Sequence, residues 1–557
     1  MMTASGKISV VLSGRKYHVS QGSTVADLIK AAHYDHEKEV LGAIVNNRIE
    51  SVGFVLSNNS TVEPLTYRSR EGALIYRRSV CLMLYEVFYS LFPHAHIAVG
   101  QSLSEGYYFQ VTGVEVDDKF LEKIRRGMHE LVKEHRKFRR WVVSVDEAEE
   151  LFRNTGRRGK YALIRTISRS HAHLVSLGDF IDIQLGPVAP HTGLVKGFEI
   201  LPLYPDFILR FPDPGLSEVP RITSPQPGLY KAHTESTMWC RRLGVEHVGQ
   251  LNRLCIDGGI SDLIKIAEGF HEKKIADIAD RISKRHRTGT RLVMIAGPSS
   301  AGKTTFTKRL SIQLRVNGLE PVALSMDDYY VDREKTPKNH DGSFDFETLE
   351  AIDLRLFNRH LGRLLEGEPV RTPRFDFNAG KRAQRSRWRT LNLKKDQVML
   401  VEGMHGLNPR LTRSVDAQQK YGIYVNALTQ LSIDRHNRIL TSDTRLIRRI
   451  VRDRFFRGYT TAQTIAGWEA VREGERKYIY PYQELADVMF NSALIYEPAV
   501  MRVFAERFLL EVPRENRSYT EAYRLLKFIE LFVPVFLDEV PHTSILREFV
   551  GGSSFRY

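Results

Sequence analysis

The stretch GPSSAGKTT at residues 297–305, directly after the apolar run LVMIA, constrains this chain more than any other feature. A glycine, four residues and then Gly-Lys-Thr is the spacing of a phosphate-binding P-loop, in which successive backbone N–H groups converge on one anion. Gly297 and Gly302 supply backbone angles that residues with a Cβ resist. Ser299, Ser300, Ala301, Thr304 and Thr305 fill the rest of the cradle, Lys303 reaches the β/γ oxygens, and the Thr304 hydroxyl is placed for Mg²⁺. Residues 292–296 read as a buried strand. Residues 304–317 read as a helix with Phe306, Leu310 and Leu314 on one face, ended by Gly318.

Strand and helix patterns keep alternating beyond this loop. VALSM (322–326), VMLV (398–401) and GIYVNA (422–427) predict a mostly parallel α/β sheet, with ligands at the carboxyl ends of its strands. Asp327 and Asp328 follow the first of these runs and Glu402 the second. A carboxylate there can take a hydroxyl proton or hold Mg²⁺ through water. Six arginines fall between Arg445 and Arg457, and a second basic cluster spans 381–389. The formal net charge of +15 invites a nucleic-acid reading, but both clusters lie in the half that carries the loop, where nucleotide phosphates need such groups.

At 557 residues the chain exceeds one hydrophobic core, so three or four units are expected. The apolar stretch 525–537 is broken by Lys527, Glu530 and Pro534, and the first residues show no secretory pattern. Cys81, Cys240 and Cys255 form neither an even framework nor a CxxC pair, which fits a cytoplasmic protein and gives no zinc motif.

The first half reads differently. KISVVLSGRKYHV predicts two strands about a Ser-Gly-Arg turn, STVADLIKAA a helix capped by Ser23 or Thr24, and AIVNNRIE a strand with an Asn-Asn turn. This unit resembles the β-grasp TGS domain of threonyl-tRNA synthetases and certain GTPases. YRRSVCLMLYEVFYSLFPHAHIAVGQSLSEGYYF (76–109) and DFIDIQLGPVAPHTG (179–193) resemble the second additional domain of the synthetase, which edits mischarged tRNA. That family carries HxxxH and CxxxH pairs; the matching positions here are Leu82, Glu86, Gln184 and Val188. Leucine and valine neither hold a metal nor move a proton, so the resemblance implies a scaffold rather than an editing hydrolase. His171, His173 and His191 read as structural. Prolines punctuate 202–228 and predict an extended connector, followed by a helix with Leu263, Ile266, Phe270, Ile275, Ile278 and Ile282 on its packing stripe, docking one half onto the other.

Across the second half, GPSSAGKTT, SMDDYY, GSFDFETLEAID, TPRFDFNAGKR, LVEGMHGLNP, RLIRRIVRDRFFRG and YPYQELADVMFNSAL together resemble the uridine kinase and phosphoribulokinase family of P-loop kinases. The resemblance implies that Asp327 is the general base or a magnesium-linked carboxylate, with Glu402 and Thr304 completing the metal site. Asp345 matches a ribose-contacting acid, and Phe375, Asp376 and Arg382 match the substrate-side segment. Arg448, Arg449, Arg452 and Arg457 match a lid over the ATP phosphates, with Arg449 and Arg452 placed at the transferring group. True uridine–cytidine kinases carry a tyrosine and a histidine where this chain has Phe375 and Gly380, which weakens the base-reading contacts.

The expected architecture is α/β: a TGS-like unit over 1–68, an editing-domain-like α+β unit over 69–225, a helical connector over 226–288, a P-loop kinase unit over 289–498 and a helical extension over 499–557. The expected activity is ATP- and Mg²⁺-dependent phosphoryl transfer to a ribonucleoside, with the 5′-hydroxyl as acceptor. The alternatives are a nucleotide-switched RNA- or ribosome-binding protein, against which the absence of an Asn-Lys-x-Asp guanine motif argues, and a kinase of another hydroxyl compound such as a sugar phosphate. A small-molecule substrate, no membrane, and RNA and self-association as open options complete the expectation.

Overall fold

The computed structural model describes all residues except 1–5, 104–105, 214–225, 339–341, 343, 377–378, 414 and 557. Near the N-terminus, β1 (Lys7–Leu12), β2 (Arg15–Ser20), β3 (Gly42–Val45), β4 (Arg48–Glu50) and β5 (Ser60–Leu65) form a sheet of order β2-β1-β5-β3-β4. Helix α1 (Val25–Ala31) packs on it. Both predicted turns close tight hairpins through positive φ angles, at Ser13 and Gly14 (47° and 83°) and at Asn46 and Asn47 (49° and 60°). The helix cap falls on Thr24, whose hydroxyl and the Asp27 carboxylate satisfy each other's backbone N–H groups.

Two long helices, α2 (Arg70–Leu91) and α3 (Asp118–Glu134), lie over the next two sheets. One has the order β11-β12-β7-β6, from β6 (His96–Leu103), β7 (Gly106–Thr112), β11 (Glu199–Leu203) and β12 (Asp206–Arg210). The other is β10-β9-β8, from β8 (Arg139–Ser144), β9 (His171–Leu177) and β10 (Phe180–Ile183), flanked by α4 (Val145–Asn154) and α5 (Arg158–Ile164). The four positions aligned with the editing ligands have other contacts. Leu82 and Val188 are buried core, the Gln184 N–H donates to the His173 carbonyl, and Glu86 accepts from the Phe180 N–H at 3.0 Å beside Arg136.

The proline-rich segment needs a correction. Its first part is no extended connector, because residues 199–210 fold back as the β11–β12 hairpin, and β12 extends the sheet of β7. Pro202 sits on the outer strand of that sheet, where the missing N–H costs no ladder bond with a further strand, and Pro205 lies in the turn. Pro214, Pro220 and Pro225 lie outside the described residues.

After α6 (Pro227–Arg242) and α7 (Val248–Asp257), α8 (Ile260–His286) crosses between the halves as expected. Leu263, Ile264 and Ala267 join a core with Leu163, Ile164 and Phe532, while Ile275, Ile278 and Ile282 join one with Val293, Phe306 and Leu310. Ile266, expected on the stripe, is instead 44% exposed, because the buried face turns to Ile264 and Ala267. Phe270 stacks on Trp239.

The second half centres on an all-parallel sheet of order β14-β19-β13-β20-β21. Its strands are β13 (Leu292–Ala296), β14 (Glu320–Ser325), β19 (Gln397–Glu402), β20 (Lys420–Asn426) and β21 (Val488–Asn491). Helix α9 (Lys303–Val316) follows β13, and α10 (Leu354–Leu365) follows β14 at a distance. Short strands β15 (Val370–Thr372), β16 (Phe375–Asp376), β17 (Lys381–Arg382) and β18 (Arg389–Leu391) form two small hairpin sheets. Helices α11 (Thr441–Phe456), α12 (Thr461–Ala466) and α13 (Trp468–Tyr478) come next, then α14 (Glu497–Leu510), α15 (Tyr519–Ile529) and α16 (Arg547–Val550). Among the described residues no helix is long and apolar enough to cross a membrane.

Polar ties join the halves. Tyr85 donates to the His436 carbonyl at 2.8 Å, Gln101 to the Thr429 carbonyl at 2.7 Å, and Arg70 pairs with Glu521 at 2.8 Å. Most buried is Lys160, whose ammonium lies between Asp182 on β10 and Asp434 in the loop after β20. Lys160→Ala would strand two buried carboxylates together. It should cost about 3–5 kcal/mol of stability, read as a lowered midpoint in urea unfolding.

Candidate active site

Strand β13 delivers the chain to the phosphate loop, and local packing explains both glycines. A Cβ on Gly297 would stand 2.1 Å from the Val425 carbonyl oxygen on neighbouring β20. Gly302 adopts φ 79°, and a Cβ there would meet the Ile545 side chain at 2.5 Å. Ser300 takes a left-handed φ of 58° despite its side chain, so the loop holds one non-glycine residue in a disfavoured region. Lys303 opens α9 and folds its ammonium back onto the carbonyls of Gly297 (2.9 Å) and Pro298 (3.0 Å). The Thr304 hydroxyl donates to Glu402 at 2.8 Å, joining the loop to the end of β19.

Helices α11 and α13 hold the loop from the side. The Glu475 carboxylate accepts the Ser299 N–H at 2.9 Å and pairs with Arg445, whose Nε donates to the Ser299 carbonyl at 2.9 Å. Arg449 donates to the Ser299 hydroxyl at 2.9 Å and lies 3.3 Å from Asp453. Arg452 also bonds Asp453, and the half-exposed Arg457 approaches it at 3.7 Å. Arg448 departs from the expected lid. It is fully buried, and its guanidinium is engaged by Glu497, by the side chain and carbonyl of Ser492 and by the Ser300 carbonyl. A cation with every arm held inside the protein braces the loop from behind and has no arm free for ATP.

On the facing side, Asp327 stands open at the end of β14. The protein mass around it pushes its carboxyl up from the usual value, while Lys303 and Arg457 pull it back. Burial pushes Glu402 up to about 7 against the pull of Lys303 and the Thr304 hydrogen bond. Burial also lowers the Lys303 ammonium, opposed first by Glu402 and Asp327.

The substrate-side residues gather beside Asp327 and Asp328. Asp328 accepts the Phe375 N–H at 3.2 Å, and the Phe375 ring lies 5.8 Å from that of Tyr330. Arg382 donates to the Tyr329 and Tyr330 carbonyls at 3.0 and 2.9 Å and to Asp353 at 3.1 Å, so its guanidinium shapes the segment after β14. Asp345 accepts the Glu347 and Thr348 N–H groups and the Tyr478 hydroxyl, each at 3.1 Å. Asp376 caps the turn to Ala379 at 3.0 Å.

Several residues that shape this site carry no signal in the sequence. Glu475 and Glu497 are not singled out there, and Arg445 appears only as one member of the basic cluster. Glu347, pushed up to about 7 by burial and then by Glu475, reads as one acid among many. Glu548 in the C-terminal segment accepts both the Thr305 N–H (3.1 Å) and its hydroxyl (2.7 Å), across 243 residues of chain.

Comparison with known proteins agrees with this two-part layout. Residues 292–495 match the Phosphoribulokinase / Uridine kinase family. The N-terminal region is similar to threonine–tRNA ligases. It is 30% identical to that of Pelobacter propionicus over 199 residues, which is 35% of this chain and 31% of the ligase. It is 31% identical to that of Desulforamulus reducens over 194 residues, which is 34% of this chain and 30% of the ligase. The chain thus spans about a third of the length of these relatives. A solved Bacillus stearothermophilus protein described as a possible uridine kinase aligns with 39% of this chain and 100% of its own, at 19% identity and TM-score 0.26. D-glycerate 3-kinase of Cryptococcus neoformans aligns with 48% of this chain and 89% of its own, at 14% identity and TM-score 0.23. The second half is an α/β fold with an all-parallel sheet and a phosphate loop after its central strand, and it is the part that matches the kinase family model.

The Glu475 contacts give a direct test of how the loop is held. Glu475→Ala would leave Arg445 buried without its carboxylate and the Ser299 N–H without its acceptor. It should lower stability by about 3–5 kcal/mol in urea unfolding. Glu475→Gln, which keeps an acceptor, should lose less.

Proposed function

We propose that this chain transfers the γ-phosphoryl group of ATP to a ribonucleoside, with the 5′-hydroxyl as acceptor. The observation that carries the reading is the convergence at neighbouring strand ends of Lys303, the Thr304–Glu402 pair and the open carboxylate of Asp327. The family match over residues 292–495 supports phosphoryl transfer as the reaction class.

The residues fit the groups such a reaction needs. One hydroxyl and two carboxylates, from Thr304, Glu402 and Asp327, suit a hard cation that takes oxygen ligands and keeps several waters. ATP and Mg²⁺, when bound, supply the phosphoryl group and neutralise charge on its oxygens.

The chain's own residues then have separable tasks. Loop N–H groups and Lys303 hold the donor phosphates. Asp327 orients the acceptor hydroxyl and takes its proton, its carboxyl raised by burial against the pull of Lys303. Arg449, Arg452 and Arg457 bring fixed positive charge to the mouth of the loop, where charge spreads over the phosphoryl oxygens in the transition state. Phe375 and Tyr330 offer aromatic surface for a base, and Asp345, the acid that the resemblance matches to a ribose contact, would have to exchange its Tyr478 bond to reach a sugar hydroxyl. A second role, RNA contact by the N-terminal half, is favoured by the ligase similarity.

Incubation with ATP, Mg²⁺ and a panel of nucleosides and sugar phosphates, read by product mass, should give a nucleoside monophosphate. Lys303→Ala should abolish it. Asp327→Asn should lower kcat by about 10²–10⁴-fold with ATP affinity retained. Full turnover in Asp327→Asn removes the base role, and ATP binding with no acceptor consumed overturns the kinase reading.

A further inference from the structure

The phosphate loop of this structure already carries an anion, and it belongs to the chain itself. One oxygen of the Glu548 carboxylate accepts from both the backbone N–H of Thr305 (3.1 Å) and its hydroxyl (2.7 Å). Thr305 lies in the first turn of α9, where backbone N–H groups have no partner within the helix and the aligned peptide dipoles favour negative charge. Those properties make such a turn a phosphate seat. A carboxylate meets the same donors with the same charge-assisted bonds.

The seat is reached by a built segment rather than a stray tail. Ile545, Phe549 and Val550 are buried in the core that contains Phe306 of α9 and Leu446 of α11. The Ile545 side chain lies over Gly302, in space that any Cβ there would fill. Phe549 lies under the Arg448 guanidinium at 5.0 Å, and Arg547 ties its own turn to the Leu537 carbonyl at 2.9 Å and to that of Val540. Packing on both sides of Glu548 therefore aims its side chain at Thr305.

The other phosphate-binding groups are similarly engaged. The Ser299 N–H is held by Glu475, and Lys303 by its own loop's carbonyls.

We propose that the C-terminal segment is an internal competitor for the nucleotide: Glu548 occupies a phosphate position of the P-loop, and nucleotide binding requires this carboxylate to leave. The inference rests on the reading of the loop as a nucleotide-phosphate site. A phosphate oxygen cannot take the Thr305 N–H while the Glu548 oxygen holds it at 3.1 Å, and two anions so close repel. Apparent nucleotide affinity is then the intrinsic affinity reduced by the fraction of molecules in which the seat is open. Whatever draws residues 544–550 away from α9 would raise that fraction, so the C-terminal segment becomes a point of control over the kinase half.

Titration calorimetry with MgATP on the full chain tests this, comparing wild type, Glu548→Ala, Glu548→Gln and Lys303→Ala. If the seat is closed in about nine molecules of ten, Glu548→Ala should bind about tenfold more tightly. Glu548→Gln should gain less, because the neutral amide still offers an oxygen to Thr305. Lys303→Ala should lose binding. If Glu548→Ala does not fold, as judged by its circular-dichroism melt, Glu548→Gln carries the test, and tighter binding than wild type remains the required result. Equal affinities across wild type and both Glu548 variants overturn the competitor while leaving the nucleotide site intact. Weaker binding in the Glu548 variants overturns it differently, by making Glu548 a ligand of the nucleotide or its cation. Absence of ATP binding in every variant overturns the phosphate-site reading itself.

Discussion

The second half is organised around a backbone turn into α9 whose N–H groups need acceptors from outside the helix. Such a turn concentrates partial positive charge and cannot satisfy itself through helix or sheet bonds. Here carboxylates from distant segments answer it: Glu475 at Ser299, Glu402 at the Thr304 hydroxyl and Glu548 at Thr305. Those acids in turn need cations. Arg445 pairs with Glu475, and a second buried pair, Arg448 with Glu497, stands behind the loop. The helices α11, α13, α14 and α16 are positioned by this alternation of charge as much as by apolar contact.

The N-terminal half is held together by apolar packing and a few buried polar groups. The positions that the sequence resemblance matches to editing ligands are filled by side chains that work as structure. Leu82 and Val188 complete the core, and Glu86 holds the turn of the β9–β10 hairpin, where its carboxylate fills the space beside Gly178 that a Cβ would occupy. A buried carboxylate with a backbone donor and a nearby arginine is a stable replacement.

What the sequence made legible follows from the range of the forces involved. Local signals were sufficient for the β1–β2 and β3–β4 hairpins, the Thr24 cap, strand β13 and helix α9, because turn chemistry and periodicity act over a few residues. The strand-end carboxylates were also readable, since a parallel sheet puts strand ends on one edge. The β11–β12 hairpin was hidden by its prolines, which are tolerated on an outer strand and in a turn but look like a linker in one dimension. Arg448 lies away from the expected lid for a related reason: six arginines on one segment look alike until helix geometry turns Arg445 and Arg448 inward. Glu475 and Glu548 had no signature, because their partners lie 176 and 243 residues away.

Helix α8 brings a mechanical consequence. Its 27 residues form a rod about 40 Å long, with its early turns in the core shared with α5 and its late turns in the core under the P-loop. Neither end can melt without exposing apolar surface belonging to the other half. The two halves, though they resemble separate families, are therefore coupled into one cooperative unit. Chain cleavage near residue 288 should yield fragments that aggregate rather than two independent modules.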